Sequence, residues 1–246
     1  SLVVDGSNEL LLYGATGSSD FPVTPTAYDT TFNGGILLRF VYNGSYFDNG
    51  TDIYVAKFNS TGTSLLASTY IGGSMNDGVN VNNDSVLFST GPPAVYEFPS
   101  DSLQYNYGDQ FRGEINVDQY GNAYIASSTR SGNFPTVSAF DNTLGGKQDA
   151  VVFKFNSTFS TLIWSTFLGG SDNDAGYALS IDDSTNVFVT GGTRSNNFPT
   201  TAGVLQSTYG AGKADGYITK IKNDGSAILS STYWGTSSYD QCYFVQ

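Results

Sequence analysis

Histidine is absent from this 246-residue chain, and Cys242 is its one cysteine. Without imidazole there is no Ser-His-Asp or Cys-His catalysis, no His-ligated metal and no imidazole acid–base step. A lone cysteine makes no intrachain disulfide and no zinc cluster. Cys242 lies in an apolar stretch and reads as a small buried hydrophobe. Charge is scarce too, at 13% of residues, and lopsided: 10 Lys and Arg against 22 Asp and Glu, a net charge of −12. Such a surface repels nucleic acid and anionic lipid, so neither is expected as a partner. No apolar run approaches the roughly 18–20 residues of a spanning helix, so direct membrane insertion is not expected. The chain opens on Ser1 and is expected to be either a mature product or a piece of a longer protein.

What is present is β chemistry. Hydrophobic residues make up 39% and aromatics 15%, ample for a core, while Ser, Thr, Asn, Gly and Tyr favour short strands and tight turns over exposed helices. Two patterns then recur three times at constant spacing. In the first, an Asp is followed by Thr at +11 and by Phe-Pro at +16: Asp5, Thr16, Phe21-Pro22; Asp118, Thr129, Phe134-Pro135; Asp182, Thr193, Phe198-Pro199. In the second, an Asp is followed by Lys at +5, Ser-Thr-aromatic from +16 and another Asp at +25. Its copies are Asp52, Lys57, Ser68-Thr69-Tyr70, Asp77; Asp149, Lys154, Ser165-Thr166-Phe167, Asp174; and Asp215, Lys220, Ser231-Thr232-Tyr233, Asp240.

Each unit reads as four short strands; in the third these are 175–182, 186–193, 215–222 and 228–234. In the strand after Asp149, Val151, Phe153 and Phe155 alternate with Ala150, Val152 and Lys154, so both faces must be covered. Asn59–Gly62 and Asn223–Gly225 carry hairpin-turn chemistry, and Gly72-Gly73 and Gly169-Gly170 break the chain where units end. Four-stranded units covered on both faces by neighbours predict an all-β fold, the blades of a β-propeller. A Greek-key β-sandwich is the rival, but it does not require a period that holds to single residues. The expected organisation is a first blade over 1–77, with a loop insertion at 36–50, and a second insertion over 78–108. A second blade follows over 109–173, a third over 174–238, and the opening strand of a truncated fourth over 239–246. About three blades cannot close a ring, so a larger propeller is expected around them.

The stretches "FPTT…DGYITKI…GSAILSSTYWG" and "GNAYIASSTRSGNFPT" resemble the bacterial β-propeller repeat family called SBBP, over nearly the whole chain outside the insertions. The wording looks most like propellers of large secreted proteins of Bacteroidota. Many of those carry a sorting domain for type IX secretion, and some serve gliding motility or adhesion. The resemblance implies no catalytic activity and no cofactor. It implies an interaction or structural module on the bacterial exterior or outer-membrane surface. Other domains of the same protein, other surface proteins or the secretion machinery would be its partners. The alternative is a polysaccharide-binding or polysaccharide-active propeller. The 22 acids leave many candidate glycosidase pairs, and none is singled out.

Individual residues carry paired readings. Asp52, Asp149 and Asp215 are either turn caps or calcium ligands, and no calcium-loop cluster favours the latter. Lys57, Lys154 and Lys220 either run along the blade to pair with Asp77, Asp174 and Asp240, or form a substrate-binding ring. Trp164 and Trp234 are inter-blade core or a sugar platform. Phe21, Phe134 and Phe198 are expected to turn inward between blades, with Pro22, Pro135 and Pro199 outside the ladder. The insertions place Phe40, Tyr42, Tyr46, Phe47, Phe88, Tyr96, Phe98, Tyr105 and Tyr107 outside the repeat, either to bind a partner or to cover an edge. Both loops are expected on the first unit's side. Thr30, Ser85, Ser102 and Ser184 sit in sites resembling those O-glycosylated in Bacteroidota. Asn43, Asn49, Asn59, Asn83 and Asn156 each open an Asn-x-Ser/Thr sequon.

Overall fold

The computed structural model describes residues 1–40, 45–80, 86–87, 96–97, 103 and 109–246. Its strands, in chain order, are β1 (Leu2–Val4), β2 (Leu10–Thr16), β3 (Leu38–Phe40), β4 (Ser45–Phe47), β5 (Asp52–Phe58) and β6 (Leu65–Ile71). Then come β7 (Val86–Leu87), β8 (Tyr96–Glu97), β9 (Glu114–Val117), β10 (Ala123–Thr129), β11 (Asp149–Phe155) and β12 (Leu162–Leu168). The last four are β13 (Asp174–Ile181), β14 (Val187–Thr193), β15 (Asp215–Ile221) and β16 (Ile228–Trp234). Three four-stranded sheets result, in the orders β1-β2-β5-β6, β9-β10-β11-β12 and β13-β14-β15-β16. These are the blades of a partial propeller, hereafter blades 1 to 3. The only helical element among the described residues is a 3-10 turn at Asp109–Phe111, and no described helix is long and apolar enough to cross a membrane.

Alternation explains the stacking. Val151, Phe153 and Phe155 of β11 join Leu11, Tyr13, Ile53 and Val55 of blade 1 in one buried cluster. The opposite face, Ala150 and Val152, joins Leu179, Val189 and Tyr217 of blade 3 in a second. The middle sheet is therefore apolar on both sides because a neighbour covers each of its faces. Register is equivalent in the three blades: Thr16 opposes Asp52, Thr129 opposes Asp149 and Thr193 opposes Asp215. First strands of successive blades adjoin, β1 against β9 and β9 against β13.

Two boundaries differ from the sequence expectation. Asp77 bridges Thr129 and Gly78 N–H donates to Ser128 O, so these residues belong to blade 2. The second insertion therefore interrupts the first strand of blade 2, which resumes at β9, instead of lying between two blades. Residues 239–246 form no strand. Asp240 N–H donates to Ala214 O at 2.9 Å, as Asp174 N–H donates to Gln148 O at 2.8 Å, so the segment starts on blade 3 as β13 starts on blade 2.

Candidate functional site

All three blades place the same two polar nodes at opposite ends. The strand-two C-terminus, the strand-three N-terminus and the strand-four C-terminus meet at one end. There Asp52 Oδ2 and Oδ1 accept from Asn33 N–H (2.6 Å) and Gly34 N–H (3.0 Å). Asp149 accepts from Gly145 N–H (2.8 Å) and Gly146 N–H (3.3 Å), and Asp215 from Gly210 N–H (2.6 Å). These carboxylates cap the loop between strands two and three through its backbone. Burial pushes Asp52 and Asp149 up to about 6 against the loop amides and raises Asp215 as well.

Beside each cap lies a second carboxyl. Asp77 accepts from Gly73 N–H at 2.7 Å, Ser131 Oγ at 2.9 Å and Thr129 Oγ1. Asp174 accepts from Gly170 N–H at 2.7 Å and Ser195 Oγ at 2.8 Å. Both are fully buried, and that burial pushes each up to about 8. Gly72 and Gly169 separate the paired acids: a Cβ on Gly72 would stand 2.7 Å from Asp52 Oδ1 and 2.8 Å from Asp77 Oδ2. Among the described residues no group of three or more Asp, Glu or Cys is arranged to hold a metal.

The lysines lie at the other end, and their expected partners are corrected. Lys57 Nζ meets Asp5 at 3.0 Å and Glu9 at 2.5 Å; Lys154 meets Asp118 at 3.5 Å and Lys220 meets Asp182 at 2.8 Å. Asp77, Asp174 and Asp240 sit at the strand-one start, a strand's length away. Antiparallel pairing of strands two and three instead carries each Lys to the turn that closes strand one. In that turn Asp5, Asp118 and Asp182 each accept two backbone N–H bonds. Burial opposes ionisation of Asp5, but Glu9 N–H and Lys57 outweigh it and lower its pKa.

Every residue of the Asn-Phe-Pro phrase has a place. Phe134 and Phe198 are 3% exposed, each in a cluster shared with the preceding blade, while Phe21 is half-buried. Phe198 lies 4.4 Å from Tyr217, as Phe21 lies 4.3 Å from Tyr54. Pro22, Pro135 and Pro199 stand outside any strand. Asn133 and Asn197, given no role by sequence reasoning, clamp the exit of the preceding blade by accepting from Ser74 N–H and Ser171 N–H, both at 2.9 Å. The offset from Gly73 to Asn133 hides this contact, although its recurrence in two units was a signal. After Phe-Pro the loop runs along the outer strand of its own blade. Tyr70, Phe167 and Tyr233 N–H donate to Asp29, Asp141 and Gln206 O, so the loop closes an edge that would otherwise be open.

The two tryptophans part company. Trp164 is fully buried and donates from Nε1 to Asn223 O at 3.0 Å, whereas Trp234 is 53% exposed. Cys242 is half-buried. Arg130 is 8% exposed with no partner for Nε or Nη1 among the described residues, because Met75 stands where Asp172 faces Arg194 at 3.8 Å.

Both insertions rise from the carboxylate end. In the first, Leu38 is fully buried with Val79 and Phe47, and Phe47 lies 6.0 Å from Phe111, while Tyr46 is 64% exposed. In the second, Leu103 is fully buried against Ala175, Tyr177 and Ala214, and its carbonyl accepts from Tyr177 OH at 2.9 Å. This overturns the expectation that both loops stay on the first unit's side: Leu103 anchors the second insertion on blade 3. Tyr42, Phe88, Phe98, Tyr105, Tyr107, Ser85, Ser102, Asn43 and Asn83 lie outside the described residues, as do the side chains of Phe40 and Tyr96. Thr30 and Ser184 are exposed. A cleft of about 400 Å³ at the same end is lined by Phe140, Asp141, Ser171, Asn197 and Pro199.

No curated protein matches the chain. Residues 163–199, which run from the last strand of blade 2 through the Phe198-Pro199 pair, match the family model SBBP, a beta-propeller repeat, and support reading the chain as an SBBP-type repeat protein.

Proposed function

We propose that this propeller segment is a non-catalytic module outside the cell, a structural and binding part of a large secreted or surface-attached bacterial protein. One observation carries the reading. Asp52, Asp77, Asp149, Asp174 and Asp215 are buried, and loop amides and hydroxyls engage them, while the two insertions leave the repeat scaffold at one end. Scaffold and recognition are thereby divided, as when loops on a rigid frame carry binding. The acidic surface, the lone cysteine and the resemblance to secreted propellers support the location, with type IX secretion, adhesion and gliding as its context.

Polysaccharide binding is the second reading, favoured by the cleft that sets Phe140 beside Asp141 and Asn197. The deciding experiment removes residues 39–46, the hairpin that carries Tyr46, and measures attachment to the parent cell surface beside binding to a glycan panel. Attachment lost with unchanged melting supports the protein-binding reading. Glycan binding that survives this deletion but fails in Asn197→Ala supports the second, and glycan turnover refutes the non-catalytic proposal.

A further inference from the structure

The start of blade 2 departs from the repeat in its buried polar residues. Arg130 N–H donates to Asn76 O at 3.1 Å and Gly78 N–H to Ser128 O at 2.9 Å, so Asn76, Ser128 and Arg130 share one patch of ladder. Asn76, Ser128 and Arg130 are 0%, 1% and 8% exposed. Asn76 Nδ2, Ser128 Oγ and Arg130 Nε and Nη1 have no hydrogen-bond partner among the described residues. Ser128 and Arg130 stand two positions apart along the strand direction, so they share a face. Every one of these groups can donate, and none of them meets an acceptor. Burial without an acceptor is costly for each, and most of all for the guanidinium.

The neighbouring blades show what is missing. The counterparts of Ser128 are Ala15 and Gly192, and those of Arg130 are Gly17 and Arg194. Arg194 Nη2 lies 3.8 Å from Asp172 Oδ2, and Asp172 is the counterpart of Met75. Met75 N–H donates to Ser131 Oγ at 2.9 Å, one residue from Arg130. Blade 2 thus keeps the cation and exchanges the carboxylate for a half-buried, unbranched thioether. No described acid fills the gap. Asp77, the ladder neighbour, is engaged by Gly73 N–H, Thr129 Oγ1 and Ser131 Oγ. Burial pushes the Arg130 guanidinium down to about 10, and no carboxylate offsets it.

We propose that Arg130, Asn76 and Ser128 form a binding site for a small carboxylate. The ligand enters beneath Met75 and takes the place that the Asp172 carboxylate holds beside Arg194 in blade 3. The planar guanidinium fork matches two carboxylate oxygens, and the Asn76 amide and Ser128 hydroxyl add donors. The net charge of −12 repels anions at long range. Salt screens that field beyond about 10 Å, whereas the buried donors act at contact.

Acetate is the probe, exchanged for chloride at pH 7 and constant ionic strength. Melting of the wild-type chain should rise saturably, by about 3–5 °C at ten times the Kd. The Arg130 Nε–H resonance should move over the same range of acetate. Met75→Asp supplies the carboxylate internally, so it should melt higher in chloride and no longer respond to acetate. Arg130→Met should also lose the response, while Arg194→Met should keep it. A wild-type chain that acetate leaves unchanged would overturn the proposal. So would an acetate response that survives in Met75→Asp, or one that grows without saturating.

Discussion

Phe198 and Phe21 hold the same place in the repeat but differ in burial, so their truncations separate motif from environment. Phe198→Ala removes a ring 3% exposed and should cost about 3–5 kcal/mol in urea unfolding. Phe21→Ala, on the face that no other described blade covers, should cost roughly half as much. A loss below about 1 kcal/mol at Phe198 would show that the ring does not plug the junction. The buried acids make a prediction of opposite kind. Asp77 titrates near 8 in the folded chain against an ordinary value near 4, because burial disfavours its charge. Between those values the unfolded chain has released a proton that the native state keeps. Stability from Asp77 is therefore full below about pH 4, declines as pH rises and is lost by about pH 8. Asp77→Asn should flatten that segment of the stability profile, seen as a wild-type minus variant difference that falls from pH 4 to 8. A difference that rises with pH would mean the carboxylate is charged in the fold.

At the scale of elements, strand three and the turn after strand one are tied by the lysines. Lys57 and Asp5 have side chains 9% and 4% exposed, and Glu9 joins them. A double-mutant cycle between Lys57 and Asp5 should give a coupling of about 2 kcal/mol, the range of buried charge-assisted hydrogen bonds. The Lys220–Asp182 cycle, with side chains 29% and 28% exposed, should give a smaller coupling that salt weakens further. Equal couplings would contradict the burial argument. The strands themselves were legible: the third unit's four segments fall within a residue or so of β13 to β16, because side-chain alternation and turn residues are local. The lysine partners were not legible. Asp77 is nearer to Lys57 in the sequence than Asp5 is, and only antiparallel pairing brings the more distant acid to it.

For the molecule as a whole, the second insertion acts as a brace. Leu103 joins a cluster with Ala175, Tyr177 and Ala214, and Asn80 Nδ2 donates to its carbonyl at 2.7 Å. Leu103→Ala should cost about 2–4 kcal/mol and raise hydrogen exchange in β13 before β2. Protection lost first in blade 1 would place the brace elsewhere.

The sequence by itself determined the repeat, the strand positions, the turns and the apolar character of both blade faces. Each of these follows from periodicity and from residues a few positions apart. It also marked both insertions as departures from the period. Tertiary structure alone decided that Asn133 clamps Ser74, that Leu103 reaches blade 3 and that Trp164 is covered while Trp234 is not. Those outcomes depend on which surfaces the stacking of blades brings together, and no local pattern encodes an encounter between residues some sixty or seventy positions apart.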